Sequence, residues 1–492
     1  MTSAELTDLR AYTHANAGAA PAALTDFVSA YFDNTDPAEL QARGPATLMA
    51  MANAHLRLLD ATPNAHGARI RVFNPTLAED GFVSEHTVIQ IIQDDMPFLV
   101  DSVTMAVNRS GRIAHWIVHP LLIVERDAGQ PISAVALASS RVPGSAPMLS
   151  FIQVECDRMI SAAERQALAQ DIARVLGDVR VAISDWPAML ARLDAVCANL
   201  SASGVGSAEQ PEGIEFLRWL EDQHFTFLGA RDYRLVQQTG EPRLEPVLDS
   251  GLGILRDSAP TQLDPLPAEA QLFLASEQLV LVTKAMTRST VHRSAWLDYL
   301  AIKRFDEQGQ VVGESRFVGL YTSRAYAAPV ASIPQIRRRA ADVMASVGVV
   351  PDSHAAKALQ AILDAYPRDE LFQVDTATLL AHAVAILRLQ ERQRACVLLR
   401  RDPFGRFTSA QVFVPRDRYN TELRTRIGQE LLQALDGELI EYTPMLTDSP
   451  LARIHYLIRA RDLAPLHTDV AALDARIARL AQRWEDDCTQ AL

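Results

Sequence analysis

The most regular hydrophobic pattern in the chain lies between Thr87 and Asn108. Residues 88–92 form a nearly continuous apolar run, which is typical of a central strand covered on one face or both. From Leu99 to Val107 the apolar positions recur at helical spacing and form one core-facing stripe. An acidic turn closed by Pro97 separates the two patterns. The stretch therefore predicts a buried strand, a tight turn and an amphipathic helix.

The residues that follow extend this stretch into a small α/β module. Strand-like runs occur at residues 113–124 and 150–156, and a capping box at residues 161–164 opens another amphipathic helix. The resulting order, β-α-β-β-α, is a split βαβ pattern of the ferredoxin-like class. We therefore predict a module over residues 76–198, preceded by a helical arm over residues 1–75.

The rest of the chain alternates between sheet-like and helical patterns. A Ser- and Gly-rich stretch predicts a linker at residues 199–213, and β-branched and aromatic runs predict an antiparallel sheet domain at 214–330. Helical periodicity predicts a connector at 331–393, and a β-β-α-β-β pattern predicts a second α/β module at 394–462. Apolar positions at heptad spacing predict a C-terminal helix within 463–492 that leads to a further module.

Composition narrows the classes of function. The 492 residues are 48% hydrophobic and 22% charged, as in an ordinary globular protein, and they carry a net charge of −13. This charge argues against nucleic acid or an anionic membrane as the main partner. The N-terminus lacks the features of a signal peptide, and no apolar run reaches the ~18 residues of a membrane span. We therefore predict a cytoplasmic protein.

Two residue patterns come closest to a cofactor or metal site. Gly251 and Gly253 resemble part of a dinucleotide fingerprint, but the third glycine and a following helix are missing. His115 and His119 share one face of a strand but would lie ~13 Å apart along it, too far to bind one ion together. We therefore predict neither a cofactor-binding residue nor a metal ligand in this chain.

The cysteines offer no clear reaction centre either. The four cysteines are widely spaced without a CxxC pair, which argues against a disulfide framework or a zinc site. Cys156 and Cys396 lie inside apolar strand patterns, where a thiol is usually a small inert hydrophobe. We therefore predict no catalytic residue in the chain.

The acidic turn of the first module is one candidate ligand site. A helix N-terminus presents free N–H groups that suit a carboxylate, so the turn could hold an effector. The acidic side chains of the turn oppose an anionic ligand and suit the helix dipole by themselves, so a self-capped helix is the alternative. The candidate effector-binding residues are Asp95, Met96, Pro97 and Phe98.

A basic cluster in the predicted sheet domain is a second candidate. It could bind an anionic effector or meet acidic residues of a partner domain, and a solvated, salt-bridged sheet face is the alternative. The chain has three lysines, two of which fall in this domain. The candidate anion-binding or interface residues are Lys284, Arg288, His292 and Arg293.

The turn Asp95-Met-Pro97-Phe98-Leu99 resembles the D-x-P-G-L turn of ACT domains, which are βαββαβ modules that bind amino acids in metabolic enzymes. The chain departs from that pattern at Phe98, where the family usually has Gly. Glycine lets a ligand approach the backbone closely, so its replacement weakens the implied amino-acid binding and leaves the implied fold intact.

Longer motifs occur in order along the chain: QDDMPFLVDSVT (93–104), HPLLIVERD (119–127), HFTFLGARDY (224–233), GLGILR (251–256), RSTVHRSAWLDYLAIKRFD (288–306), YPRDELFQ (366–373) and FVPRDRYNTELR (413–424). Together they resemble the N-terminal region of the large bacterial NAD-specific glutamate dehydrogenases. The resemblance covers nearly the whole chain after about residue 80. It implies an α+β multidomain protein with ferredoxin-like ACT-type modules, a PAS-like antiparallel-sheet domain and helical connectors.

This resemblance implies a regulatory and oligomerisation region of an NAD-dependent glutamate dehydrogenase. The catalytic domain and its NAD would then lie outside this chain, and the chain alone would be inactive. The implied partners are the catalytic domain of the same polypeptide, further copies in a homo-oligomer and an amino-acid effector. The alternative is a stand-alone amino-acid-sensing protein built from ACT-like and PAS-like domains.

Overall fold

The computed structural model describes residues 4–18, 21–125, 133–137, 147–204, 209–238, 240–257, 266, 268–392, 394–446, 449–461 and 468–482. Within this part of the chain the fold is α+β with several antiparallel sheets, and no helix is long and apolar enough to cross a membrane. The chain divides into two compact units. Unit 1 comprises Met1–Asp185 with Arg288–Ala295, and unit 2 comprises Trp186–Thr287 with Trp296–Leu492.

Unit 1 contains a six-stranded sheet in the order β1-β2-β6-β4-β5, with β3 also paired to β6. Its strands are β1 (Arg69–Phe73), β2 (Thr87–Asp94), β3 (Ala114–Val118), β4 (Leu121–Glu125), β5 (Ala134–Leu137) and β6 (Met148–Cys156). Its helices are α1 (Ala4–Asn16), α2 (Pro21–Tyr31), α3 (Pro37–Arg43), α4 (Pro45–Arg57), α5 (Leu77–Asp80), α6 (Leu99–Arg109) and α7 (Ala162–Ser184), with a 3-10 turn at Leu58–Asp60.

The predicted buried strand and amphipathic helix are confirmed in β2 and α6. Ile91 of β2 is fully buried and stands opposite Ile70 of β1 and Ile152 of β6 in antiparallel ladders. Val103 and Val107 of α6 are also fully buried, as the helical stripe predicts. The amino-terminal helices pack on this sheet, where the ring of Phe27 lies 5.6 Å from that of Phe151.

Two details of unit 1 differ from the sequence prediction. Residues 69–73, placed at the end of the helical arm 1–75, form strand β1, because an edge strand with alternating Arg, Ile and Val finds its partner only when β2 is present. The predicted strand at 113–124 is divided into β3 and β4 at His119 and Pro120. Proline has no N–H to donate, so it interrupts the ladder.

Unit 2 contains two sheets, in the orders β10-β11-β12-β7-β8 (with β9 paired to β7) and β13-β14-β16-β15. Its strands are β7 (Phe225–Gln238), β8 (Glu241–Pro246), β9 (Leu252–Gly253), β10 (Val280–Arg288), β11 (Trp296–Phe305), β12 (Val311–Tyr321), β13 (Cys396–Arg401), β14 (Phe407–Pro415), β15 (Gly437–Met445) and β16 (Leu451–Ala460).

The helices of unit 2 lie before, between and after these sheets in the chain. They are α8 (Trp186–Ala202), α9 (Glu209–Trp219), α10 (Ala268–Ala275), α11 (Ser323–Ala327), α12 (Ile336–Val347), α13 (His354–Asp364), α14 (Arg368–Gln373), α15 (Thr376–Arg392), α16 (Thr421–Ala434) and α17 (Val470–Leu480). A π-helical turn spans Leu220–His224, and 3-10 turns span Val330–Ser332 and Arg416–Arg418.

One hydrophobic core joins the first sheet of unit 2, its helices and one face of the second sheet. Leu300 of β11, Leu379 of α15 and Leu398 of β13 belong to the same cluster of buried side chains. The other face of the second sheet is covered by α16 and α17, through Ile427 and Ile477. The helical connector is therefore packed between sheets rather than exposed.

Local turns explain how these strands are connected. In the predicted hairpin between β11 and β12, the Asp306 carboxylate accepts hydrogen bonds from the N–H groups of Gln308 (3.0 Å) and Gln310 (2.8 Å). Gly309 has φ +74, a conformation that favours glycine. The predicted hairpin between β13 and β14 closes where the N–H of Gly405 donates to the Asp402 carbonyl at 2.8 Å.

The predicted linker at 199–213 is helical at both ends, since α8 continues to Ala202 and α9 begins at Glu209. Asn199 is an anchor here: its amide donates to the Phe305 carbonyl at 2.9 Å and accepts the Phe305 N–H at 3.0 Å. The polar, Ser-rich composition predicted a linker here, but tertiary contacts stabilise helical structure at both ends of the segment. Residues 205–208 of the linker and 483–492 of the predicted C-terminal helix lie outside the described residues.

Candidate functional site

The acidic turn joins β2 to α6 and ends in an unusual backbone conformation. Phe98 has φ +73 and ψ 5, the left-handed region that non-glycine residues seldom adopt. The resemblance to ACT domains places Gly at this position, so the turn keeps the glycine-like conformation with an aromatic side chain. Strain of this kind costs of order 1–3 kcal/mol and persists only where the surrounding structure holds it.

The surroundings that hold Phe98 come from the segment at residues 288–295 of unit 1. His292 is also left-handed, with φ +70, and its ring centroid lies 4.8 Å from that of Phe98. The His292 N–H donates to the Ser102 hydroxyl at 3.0 Å, and His292 Nδ1 lies 3.2 Å from an Asp101 carboxylate oxygen. The structure therefore brings together two candidate sites that are about 190 residues apart in sequence.

Two acidic residues at the turn have polar partners. Asp101 contacts His292, and Asp94 lies 3.3 Å from the Arg180 guanidinium. Phe98 occupies the N-cap position of α6 and offers no side-chain hydrogen bond there. The negative charge therefore supports the helix dipole from the first turn, and no residue of the turn caps α6 with its side chain.

An open groove of about 860 Å³ runs beside this contact within unit 1. Its lining combines apolar side chains with charged side chains of both signs, so it suits an amphipathic ligand with a charged group. The predicted residues Arg288, His292 and Arg293 line it, whereas Asp95, Met96 and Pro97 do not. The lining residues are Val100, Asp101, Thr104, Met105, Asn108, Arg109, Ile117, Arg288, His292, Arg293 and Ser294.

Lys284, predicted as a member of the same basic cluster, has a different environment. Its ammonium group is buried in unit 2, 2.6 Å from a carboxylate oxygen of Asp298 and 3.3 Å from one of Asp369. Burial alone would lower the pKa of Lys284, but the two carboxylates raise it above its ordinary value. Lys284 is thus an interior ion-pair residue that lies apart from the groove, and its role in an anion-binding or interface cluster stays a prediction.

A second buried ion pair lies next to the first along the chain. Glu370 receives two hydrogen bonds from the Arg400 guanidinium, at 2.7 and 2.9 Å, and both side chains are buried. Burial would raise the pKa of Glu370, but Arg400 lowers it below its ordinary range. Because Asp369 binds β10 and Glu370 binds β13, the short helix α14 is tied to both sheets of unit 2.

Sequence reasoning missed these interior charges. The signal that could have found them is the YPRDELFQ stretch, in which two adjacent acids open a helix whose neighbours are apolar. An apolar segment that retains adjacent carboxylates needs buried cations to compensate them. Their partners, however, are distant in sequence and cannot be chosen from the sequence alone.

The remaining candidates have structural environments. Burial raises the pKa of the Cys156 thiol to about 11 and that of Cys396 to about 12, so both are protonated at neutral pH. His115 lies 2.7 Å from Asp157, and His119 lies 2.7 Å from the Ser150 hydroxyl. Among the described residues, no group of three potential metal ligands is found.

Three family models match the chain, and all three describe parts of glutamate dehydrogenases. The ACT1 domain model matches residues 27–172, helical motif 1 matches residues 333–392, and the ACT2 domain matches residues 396–485. The ACT1 match begins inside α2, so it includes helices that the sequence pattern assigns to a separate arm. The match to helical motif 1 falls within the predicted connector at 331–393.

Curated relatives carry the same name. The chain is 37% identical over 430 residues to the NAD-specific glutamate dehydrogenase of Halomonas elongata, covering 86% of the chain and 27% of that protein. It is 34% identical over 469 residues to the NAD-specific glutamate dehydrogenase of Pseudomonas aeruginosa, covering 94% of the chain and 29% of that protein. For the NAD-specific glutamate dehydrogenase of Mycobacterium tuberculosis the identity is 28% over 441 residues, covering 87% of the chain and 25% of that protein.

The chain therefore spans less than a third of the length of these relatives. The matches extend over most of the chain and agree with the domain models in naming one kind of enzyme. The chain belongs to the family of the large NAD-specific glutamate dehydrogenases, in which it corresponds to the region of the ACT1, helical motif 1 and ACT2 domains.

Proposed function

We propose that this chain is the N-terminal regulatory and assembly region of an NAD-dependent glutamate dehydrogenase whose catalytic domain lies outside it. The main support for the proposal is that the matching family models describe two ACT domains and a helical motif of glutamate dehydrogenases. The parent enzyme would convert L-glutamate, NAD and water into 2-oxoglutarate, ammonium and NADH. NAD would bind to the catalytic domain and not to this chain.

The two units support different halves of this proposal. The groove of unit 1, with its paired left-handed residues Phe98 and His292, supports a regulatory role because strained backbone of this kind clusters at ligand clamps and switch regions. The continuous core of unit 2 supports an assembly role because it packs two sheets and the helical motif into one body. We further propose that the sheet formed by β7 to β12 is the PAS-like domain.

The partners follow from the same proposal. The catalytic domain of the same polypeptide would be the principal partner, and further copies of the enzyme would complete a homo-oligomer. An amino-acid effector would occupy a site in the region, and the enzyme would be cytoplasmic.

The proposal is tested by comparing this chain with a longer polypeptide that continues into the catalytic domain. NADH formation from L-glutamate is expected from the longer polypeptide and not from residues 1–492. NAD-dependent turnover by residues 1–492 alone would overturn the proposal. Light scattering of both proteins would test assembly, and an oligomer that persists in the longer polypeptide after deletion of these residues would remove the assembly role.

A stand-alone amino-acid sensor is the second candidate, and the groove of unit 1 favours it. It would bind its ligand and act without any dehydrogenase domain. The reading frame of the gene distinguishes the two candidate functions. A frame that continues past Leu492 into a dinucleotide-binding domain would exclude the stand-alone sensor.

A further inference from the structure

Four large apolar side chains of unit 1 are exposed at one end of its sheet. They are Leu77 (71% exposed), Val83 (66%), Ile113 (63%) and Ile160 (88%), and we call them the apolar rim. Apolar residues that are exposed singly are common on protein surfaces, whereas a group of them on one surface marks a site of interaction. The apolar rim is therefore a candidate interaction surface.

The strand topology gathers these residues at one end of the sheet. Leu77 and Val83 lie in the connection from the end of β1 to the start of β2. Ile160 comes shortly after the end of β6, and Ile113 directly precedes the start of β3. Because β2 is antiparallel to both β1 and β6, and β3 is antiparallel to β6, these four strand ends lie together. The acidic turn at 95–98 follows the other end of β2.

Hydrogen bonds between the connecting segments hold the apolar rim in place. The Arg158 guanidinium donates to the Ser84 carbonyl at 2.7 Å, which ties the β1–β2 connection to the segment after β6. The Ile113 N–H donates to the Asp157 carboxylate at 2.9 Å, and the Ile113 carbonyl accepts the Asp157 N–H at 3.2 Å. A surface that is ordered before it binds loses little conformational entropy on binding. The rim is thus already arranged for a partner.

Two exposed charges of opposite sign lie beside the apolar rim without an ionic partner. Arg158 binds the Ser84 carbonyl, but no carboxylate in the described part of the chain lies within ion-pair distance of it. The Glu85 carboxylate is exposed, and it forms neither a hydrogen bond nor an ion pair with any residue that the structure describes. Glu85 directly follows Ser84, so the two charges occupy neighbouring positions on one surface. That surface offers one cation and one anion to another molecule.

We propose that the apolar rim is the contact between two copies of this chain in a symmetric dimer. In an isologous contact both copies use the same surface. The apolar side chains of the two rims would pack together, and Arg158 of each copy would lie beside the partner's Glu85. The apolar contact would supply most of the affinity, and the exposed ion pairs would fix the orientation.

Charge complementarity favours a second copy as the partner. A second copy brings an apolar surface of equal size, a carboxylate for Arg158 and a cation for Glu85. A partner surface of one sign would place a like charge beside one of these two groups, which is unfavourable. Self-association is a property of the 492-residue chain, and only its meaning in the enzyme rests on the assembly role proposed above.

Light scattering of the full 492-residue chain over a dilution series tests self-association. We expect a dimer that dissociates on dilution. Ile160→Lys should raise its dissociation constant about tenfold or more, because it places a charge in the apolar contact. The matched control is Leu248→Lys, at a position of unit 2 that is 85% exposed, and it should leave the constant unchanged. Both variants should match the parent chain in circular dichroism.

A chain that is monomeric at every concentration would overturn the proposal. So would a dimer that Ile160→Lys leaves intact, or one that both lysine variants weaken equally.

Exchange of the two charges tests the symmetric arrangement. Arg158→Glu alone places two carboxylates together in each half of the contact, and Glu85→Arg alone places two guanidinium groups together, so each variant should dimerise more weakly. An equimolar mixture of the two variants should form a heterodimer, because each copy then carries the charge that the other needs. Two variants that fail to associate more strongly with each other than with themselves would overturn the isologous contact.

Hydrogen exchange would reveal a different occupant of the rim. Peptides covering residues 77–86 and 157–165 should be protected in the concentrated chain and exposed in Ile160→Lys. Protection that occurs only in the longer polypeptide would overturn the proposal and assign the rim to the rest of that polypeptide. The dehydrogenase proposal is judged separately, by turnover of the longer polypeptide.

Discussion

The polar network around β2 of unit 1 differs in kind from the ion pairs of Lys284 and Arg400 in unit 2. Unit 1 holds a chain of neutral groups: Tyr31 Oη lies 2.7 Å from His55 Nδ1, and His55 Nε2 lies 3.1 Å from the Ile91 carbonyl. In the same core the Gln90 amide donates to Gln153 at 2.8 Å. Burial lowers the pKa of His55 to about 3, so its ring is neutral at physiological pH.

Unit 2 instead holds compensated ions. Lys284 is bound by Asp298 and Asp369, and Arg400 is bound by Glu370, all within the interior or at its edge. The carboxylates keep the pKa of Lys284 raised, and the guanidinium keeps that of Glu370 lowered, so the charges persist over a wide pH range.

A neutral buried network and a buried ion pair are vulnerable to different perturbations. A neutral network is disrupted when one of its members gains a charge, which pH can cause. A compensated ion pair is disrupted when one partner is removed, because the other charge is then buried alone.

Removing Glu370 should be the most damaging change in unit 2. Glu370→Gln leaves the Arg400 guanidinium buried without an anion, and we expect a loss of about 3–5 kcal/mol in the free energy of unfolding. Amide hydrogen exchange of peptides from β13 and β14 would measure it.

The matched control for this change removes both charges. The double variant Glu370→Leu, Arg400→Met should recover most of the loss, because no unpaired charge remains. A double variant that is no more stable than Glu370→Gln would contradict the ion-pair explanation.

Acidification should act on unit 1 through His55. The unfolded state has the ordinary pKa of 6.5 and the folded state a pKa of about 3, so the unfolded state binds more protons between these values. Stability is therefore lost as the pH falls through this window, by about 2–4 kcal/mol. Hydrogen exchange of β2 and β6 peptides as a function of pH would measure the slope.

His55→Gln removes the titrating group and keeps a side chain that can hydrogen bond. The part of the pH slope due to His55 should disappear in this variant, even if its stability at neutral pH is lower. An unchanged slope between pH 6.5 and about 3 would show that other groups carry the acid response.

Lys303 is a buried cation of unit 2 that has no carboxylate partner in the described part of the chain. Its ammonium group donates to the Ser276 carbonyl and lies 5.0 Å from the Phe273 ring centroid, and burial lowers its pKa to about 8. Lys303→Met should therefore stabilise the protein at pH 7, by about 1–2 kcal/mol.

The pH dependence of this gain has a definite sign. Between the folded pKa of about 8 and the ordinary value of 10.5 the unfolded state binds more protons, so the parent chain gains stability as the pH rises. The advantage of Lys303→Met in urea unfolding should shrink over that window. Lys284→Met, which removes a paired cation, should instead destabilise the protein. Equal effects of the two substitutions would contradict the distinction between paired and unpaired buried lysines.

The smallest effect is expected at the turn of unit 1. Phe98→Gly removes the strain of a left-handed aromatic residue but also removes the ring contact with His292. Phe98→Ala removes the ring and keeps the strain, so Phe98→Gly should be more stable than Phe98→Ala by about 1 kcal/mol. Equal stabilities in urea unfolding would mean that the backbone at this position is unstrained.

Local sequence patterns were sufficient for several elements of the fold. The apolar run of β2, the stripe of α6 and the hairpin turn at Asp306 each depend on neighbours within a few residues, so their signals are complete in the sequence. The predictions that differed from the structure depended on distant partners. Residues 69–73 needed β2 beside them, and the helical ends of the linker at 199–213 needed contacts such as that of Asn199 with β11.

The candidate site divides in the same way. The sequence alone suggested the turn at 95–98 and the basic residues near 288–293 as candidates, because their composition is visible locally, and motif resemblance identified the family. Only the tertiary structure placed His292 against Phe98, separated Lys284 from that cluster and paired Glu370 with Arg400. The physical reason is that charge compensation and ring contact act through space, and a sequence specifies which groups exist but not which of them meet.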